Sequence, residues 1–213
     1  MIFMKIALDL QDQFNHATEE VRRRLVPLDE LREKDMKRIL ACYDAAIEPN
    51  FIPWVAAGVI SARSVQGRYA ASENLEEEIR GNHQGMLRRF VAAAGAAPGQ
   101  QDYSSVEVPV QNMRDSFRQM NGLANIAMLA YLENTSAAFI PYLAQIAKTL
   151  GSKEFVYTNA HGEADIEHAR QFLWALGHES DCNYTAPSET INKTICMGYK
   201  FLTDILGLRA QVA

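Results

Sequence analysis

The sequence predicts an all-α bundle, and three observations carry that expectation. Long stretches rich in Ala, Leu, Glu, Gln, Arg and Met, all good helix formers, fill the intervals between a few Pro and Gly breaks. The clearest period-two alternation, Val106 to Val110, contains Pro109, which a central strand does not tolerate. His161, Asp165 and His168 recur at steps of four and three, the spacing of one helix face.

The elements follow in order. A first segment over about 5–24 ends in the charged run Glu19 to Arg24. A second, about 28–47, opens with acidic residues after Pro27, where a helix N-terminus favours them. A third, about 51–94, is too long for one straight helix and should break near Gly67 or Ser72. Gly95 to Gly99 and the residues from Asp102 read as an irregular connection, followed by a short helix over about 108–120. Helices over about 122–149, 153–177 and 188–208 complete the chain.

Bulk properties bound the function. The 213 residues, 48% of them hydrophobic, suit one domain over 1–213 with a substantial core. A net charge of −5 argues against a general nucleic-acid binder. No run approaches the roughly 18 apolar residues that a membrane span needs. The start lacks the basic and apolar regions of a signal peptide. Three scattered cysteines, Cys42, Cys182 and Cys196, give no disulfide framework and suit a reducing cytoplasm.

The chemistry concentrates in three segments. His161, Asp165 and His168 place two imidazoles and a carboxylate on one stripe, a set suited to iron, manganese or zinc. Upstream, the acidic run Glu76-Glu77-Glu78 offers three carboxylates before His83. Glu76 and His83 are seven apart, so they too share a face, and that step favours Glu76 as the ligand over Glu77 or Glu78. Glu133 stands alone between apolar neighbours such as Leu129, Ala130 and Phe139. A carboxylate there is expensive to bury unless it is paired or bound to a metal. Three of the five histidines belong to this scheme, leaving His16 and His178 outside it. Helical bundles build two-iron sites from such side chains projecting inward.

These motifs, Glu76-x6-His83, a lone Glu133 and His161-x3-Asp165-x2-His168, resemble the haem-oxygenase-like di-iron oxidases and oxygenases. That fold is shared with thiaminase-type (TenA) and PQQ-synthase-type (PqqC) proteins. The likeness covers roughly residues 70–175. It implies a single seven-helix domain and two irons per chain, Fe(II) or Fe(III), the second weakly held. All six residues would serve as metal ligands and form the catalytic centre, with dioxygen as co-substrate. The reaction implied is oxidation of a small molecule, amino-acid-derived or carboxylate, in specialised biosynthesis. It would proceed by N-oxygenation, desaturation or oxidative C–C cleavage. Electrons would come from an external donor or from the substrate, and a homodimer is common for the fold.

Arg80 lies one turn from both Glu76 and His83 and is the candidate clamp for a substrate carboxylate. Tyr131 and Tyr157 are candidate substrate-binding residues, with Phe51, Trp54, Phe139 and Phe172 as further pocket lining. Glu163 and Glu167 follow another face and should be solvated. Two other readings stay open. One is a thiaminase-type hydrolase or a cofactor-independent oxidase of the same fold. The other is a helical interaction protein that is not an enzyme, which predicts no iron and an exposed His161 face.

Overall fold

A computed structural model describes the backbone of residues 2–209, and the side chains of residues 10–209 except that of Glu163. The described residues form helices α1 (Ile2–Arg24), α2 (Glu33–Ile47), α3 (Phe51–Ser61), α4 (Val65–Arg80) and α5 (His83–Ala93). They continue with α6 (Gln100–Gln119), α7 (Gly122–Thr149), α8 (Val156–Ser180) and α9 (Pro187–Leu206), and a single 3-10 turn, Leu28–Glu30, precedes α2. No strand occurs among them. The all-α class therefore holds, while the seven helices implied by the resemblance are exceeded.

Two local breaks account for the extra segments. The stretch expected to run over 51–94 stops first at Ala62, whose extended backbone ends α3. Ser64 then caps α4 by accepting from the Gly67 N–H. The chain breaks again at Gly81-Asn82, where Asn82 adopts the left-handed φ of 52° and its side chain caps α5. Asn tolerates that conformation better than most residues and is a good N-cap. Neither Gly67 nor Ser72 interrupts α4.

Pro109 also departs from expectation, because it sits inside the continuous helix α6. It removes one backbone hydrogen bond, from a turn whose Ser104 and Ser105 are exposed to water. The freed Ser105 carbonyl is on a turn open to water, which keeps the loss small, and a helix replaces the expected irregular connection.

Helix α7 is the axis of the molecule. From Gly122 to Ser136 nearly every residue is buried, as a helix enclosed on all sides requires, and from Ala137 on one face, with Pro141 and Gln145, reaches solvent. It packs most extensively on α8 and is further enclosed by α1, α9 and α3. Its start is pinned by a close approach: a Cβ on Gly122 would lie 2.3 Å from the Ser61 carbonyl oxygen and 2.7 Å from Glu179 Oε1. Glycine is required at that point. Trp54 stacks on Phe117 at 5.5 Å and meets Phe201 edge-on at the same distance, tying α3, α6 and α9 together. No described helix is long and apolar enough to cross a membrane.

Candidate metal centre

Helices α4, α5, α7 and α8 deliver buried carboxylates and imidazoles to the middle of the bundle. The first group is Glu78, His83 and His161; the second is Glu133, Asp165 and His168. Within each group the candidate ligand atoms all lie within 4.8 Å of one another. Within the first, the His83 and His161 rings are 4.7 Å apart and His161 Nε2 is 3.8 Å from Glu78 Oε1. The groups adjoin, since Glu78, His83 and His161 line one cavity with Glu133 and Asp165.

Local sequence explains each placement. The α8 steps of four and three put His161, Asp165 and His168 on one buried face, as expected. Glu133 is buried on the central helix. On α4 the buried residues are Gly67, Ala70, Ala71, Asn74 and Glu78, a stripe of helical period whose small members let α4 approach α7 and α8.

This stripe corrects the assignment of Glu76. Its side chain is 48% exposed and pairs at 2.6 Å with Arg80, whereas the Glu78 side chain is 6% exposed. The seven-residue argument required one unbroken helix from Glu76 to His83. The break at Gly81-Asn82 puts the two on different helices. Two residues on, Glu78 points roughly 200° away from Glu76 around the axis and faces the core. The structure thus brings together His83, Glu133, His161, Asp165 and His168 from the expected set, with Glu78 in place of Glu76.

Arg80 and Tyr131 also fall elsewhere. The Arg80 side chain is 79% exposed and engaged with Glu76 on the outer surface. Tyr131 is fully buried, away from the cavity that borders both groups, and its hydroxyl has no hydrogen-bond partner among the described residues. Tyr157 does line that cavity, with Tyr43, Phe51, Leu87, Phe139 and the ligand candidates. Its hydroxyl meets that of Tyr43 at 2.8 Å, and its ring lies 4.1 Å from the His161 ring. Burial pushes both phenols well up, so both stay protonated. Trp54 and Phe172 belong to the core and not to the cavity. Glu167 is solvated and pairs with Arg170, while the Glu163 side chain lies outside the described residues.

Electrostatics sort the imidazoles. His161 donates its Nδ1–H to the Tyr157 carbonyl at 3.0 Å, leaving Nε2 as the lone-pair nitrogen. Burial, helped by neighbouring His83, drops its pKa to about 4, so it is neutral and suited to ligation. Burial alone would also lower His168, but the Glu133 and Glu77 carboxylates outweigh it and hold it up at about 9. In His83, burial is likewise outweighed, here by Glu78, which accepts from its Nδ1 at 2.9 Å. Asp165 is held well above the usual carboxylate range by burial and by facing Glu133.

These residues fit a pair of divalent cations. Three buried carboxylates line one cavity without Lys or Arg, although Glu133 and Asp165 also border a second cavity with Arg22 and Arg170, which pair with Glu19 and Glu167. Buried charge of one sign is costly without a counter-charge. His168 Nδ1 is buried without a hydrogen bond from any described residue, 3.6 Å from Glu133 Oε2, and its other nitrogen is held by Glu77. A carboxylate on the far nitrogen is the arrangement that orients a metal-binding histidine. Carboxylate and imidazole donors match iron or manganese. Two participants escaped the sequence reading. Asn74, whose Nδ2 donates to Glu133 Oε1 at 2.8 Å, shares the small-residue stripe with Glu78, and that stripe was the available signal. Tyr43 had none.

The fold and the donor set define a helical-bundle protein with two candidate carboxylate–histidine metal sites beside one cavity. The sequence profile of a family described as iron-containing redox enzymes matches residues 45–191, more than half of the chain. The chain belongs to that family. A solved structure of a TenA homolog from Pseudomonas syringae pv. tomato is similar in fold, with a TM-score of 0.59 at 12% identity, covering 93% of each chain. No curated protein matches the sequence.

Proposed function

We propose that the chain is a non-haem di-iron oxygenase or oxidase, each ligand group holding one iron, that uses dioxygen to oxidise a small molecule in the adjoining cavity. The observation that carries this reading is the shared border: Glu78, His83, Glu133, His161 and Asp165 all line one cavity. A molecule there lies against both groups at once. Membership of a family of iron-containing redox enzymes supports iron over other divalent cations.

Bound ferrous iron would supply electrons and open coordination positions for dioxygen. The chain's own residues do the rest. Ile47, Phe51, Leu87, Leu132, Phe139 and Leu202 give the cavity apolar walls that exclude water and take an apolar substrate body. A substrate carboxylate would find its counter-charge at the cations, since no Lys or Arg is among the lining residues and Arg80 faces outward. The Tyr43 and Tyr157 hydroxyls are the uncharged polar handle of the cavity. Two phenols share one mutual hydrogen bond, so one hydroxyl proton is left over for a substrate acceptor. No cysteine lines the cavity, so a thiol nucleophile has no support.

The test is anaerobic loading with ferrous iron followed by rapid mixing with oxygenated buffer. The expected result is prompt oxygen consumption with a transient visible absorption, both lost in His161→Ala and Glu133→Ala. Iron-loaded wild type that consumes no oxygen would remove the oxygenase reading.

A further inference from the structure

Asn74 is fully buried on α4, and its two amide atoms have different fates. Nδ2 donates to Glu133 Oε1 at 2.8 Å, while Oδ1 receives no hydrogen bond from any described residue. The orientation of the amide follows from chemistry, because a carboxylate only accepts and so demands the NH2 group. Packing alone does not account for this residue. Its neighbours on the buried stripe are Ala70, Ala71 and Gly67, and an apolar side chain would spare the unmet Oδ1 but would take the donor from the buried Glu133 Oε1.

We infer that Asn74 is a positioning residue of the metal centre that holds Glu133 by one oxygen and receives a hydrogen bond from cation-bound water at its carbonyl. With Oε1 committed to Asn74, Glu133 presents Oε2 toward His168, whose Nδ1 lies 3.6 Å away without a hydrogen bond. Oε2 would then be the oxygen left free for a cation. Water on a divalent cation is a strong donor in need of an acceptor, and Asn74 Oδ1 is a buried acceptor in need of a donor. The inference rests on the two-cation reading of the site.

Cobalt(II) tests it without turnover, because its visible absorption reports the coordination of each ion. Wild type, Asn74→Leu and Asn74→Asp are titrated with cobalt(II), and metal-free melting temperatures are recorded. Leucine keeps the volume and removes both polar atoms. Aspartate keeps the shape and the acceptor but replaces the donor with a like charge, and the metal-free melting temperatures show which variants are folded and can be read. We expect both variants to bind one cobalt ion as wild type does and the other about 10- to 100-fold more weakly, with an altered visible spectrum for that ion alone. Folded variants with wild-type affinities and spectra would overturn the inference while leaving the two-cation site intact. A wild-type chain that binds no cobalt would overturn both.

Discussion

Glu76 and Glu78, two residues apart on α4, face opposite media: the first pairs with Arg80 in solvent, the second hydrogen-bonds His83 in the core. Their difference is directly measurable. Glu78→Ala should weaken binding of one divalent cation by at least about 10-fold, the scale on which even supporting residues act. Glu76→Ala removes only an exposed helical ion pair, worth about 0.3–0.5 kcal/mol, and should leave affinity within about two-fold. Isothermal titration of the two variants decides it, and the reverse order would mean that the residue facing the centre is Glu76.

Cation binding should release protons. At pH 7.5 His168, with its pKa held at about 9, is protonated in the metal-free chain, and ligation requires it neutral. About one proton per chain should appear from this residue, seen as a dependence of the binding enthalpy on buffer ionisation heat. The stability signs are opposite for its neighbour. A raised His168 stabilises the metal-free fold below its ordinary value of 6.5 and loses that contribution as pH rises through about 9. A lowered His161 costs stability as pH falls from 6.5 toward about 4. A buffer-independent enthalpy at pH 7.5 would contradict the assignment.

Glu179 should be a stability residue unrelated to the centre. This buried carboxylate on α8 accepts from the Arg63 N–H at 2.8 Å, the Ser64 N–H at 2.8 Å, the Ser64 hydroxyl at 2.6 Å and the Tyr184 hydroxyl. It fastens the α3–α4 junction, whose cap positions the ligand-bearing α4. Burial alone would raise its pKa, but these donors outweigh it and keep the carboxylate charged. Glu179→Gln should cost about 2–4 kcal/mol in urea unfolding at pH 7. Because the folded pKa is depressed, the contribution is present above the ordinary 4.5 and lost as pH falls through the folded value. The variant should therefore show a shallower acid limb than wild type.

Much of this architecture was legible because helices declare themselves by period. The α8 triad and the buried Glu133 needed only spacing and apolar context, and α7 was bounded correctly at 122–149. The errors came where one local event redirected the chain. Asn82 in a left-handed conformation broke the helix on which the Glu76 and Arg80 assignments depended. Within an acidic run, spacing to a distant histidine cannot select the inward carboxylate once that continuity is lost. The stripe of Gly67, Ala70, Ala71 and Asn74 marked the buried face and pointed to Glu78. Tyr131 shows another limit: an aromatic two residues from Glu133 lies on the other side of the same helix, packed beneath α9 at Gly198. Tyr43 meets Tyr157 across 114 positions of sequence, and no local pattern encodes such a pairing.

Manganese(II) loading followed by electron paramagnetic resonance tests most directly whether two cations sit side by side in the proposed centre. Two manganese ions per chain with a spin-coupled spectrum are expected, reverting to the six-line signal of an isolated ion in His161→Ala. One ion per chain, or two that give only uncoupled six-line signals in wild type, would contradict the proposal.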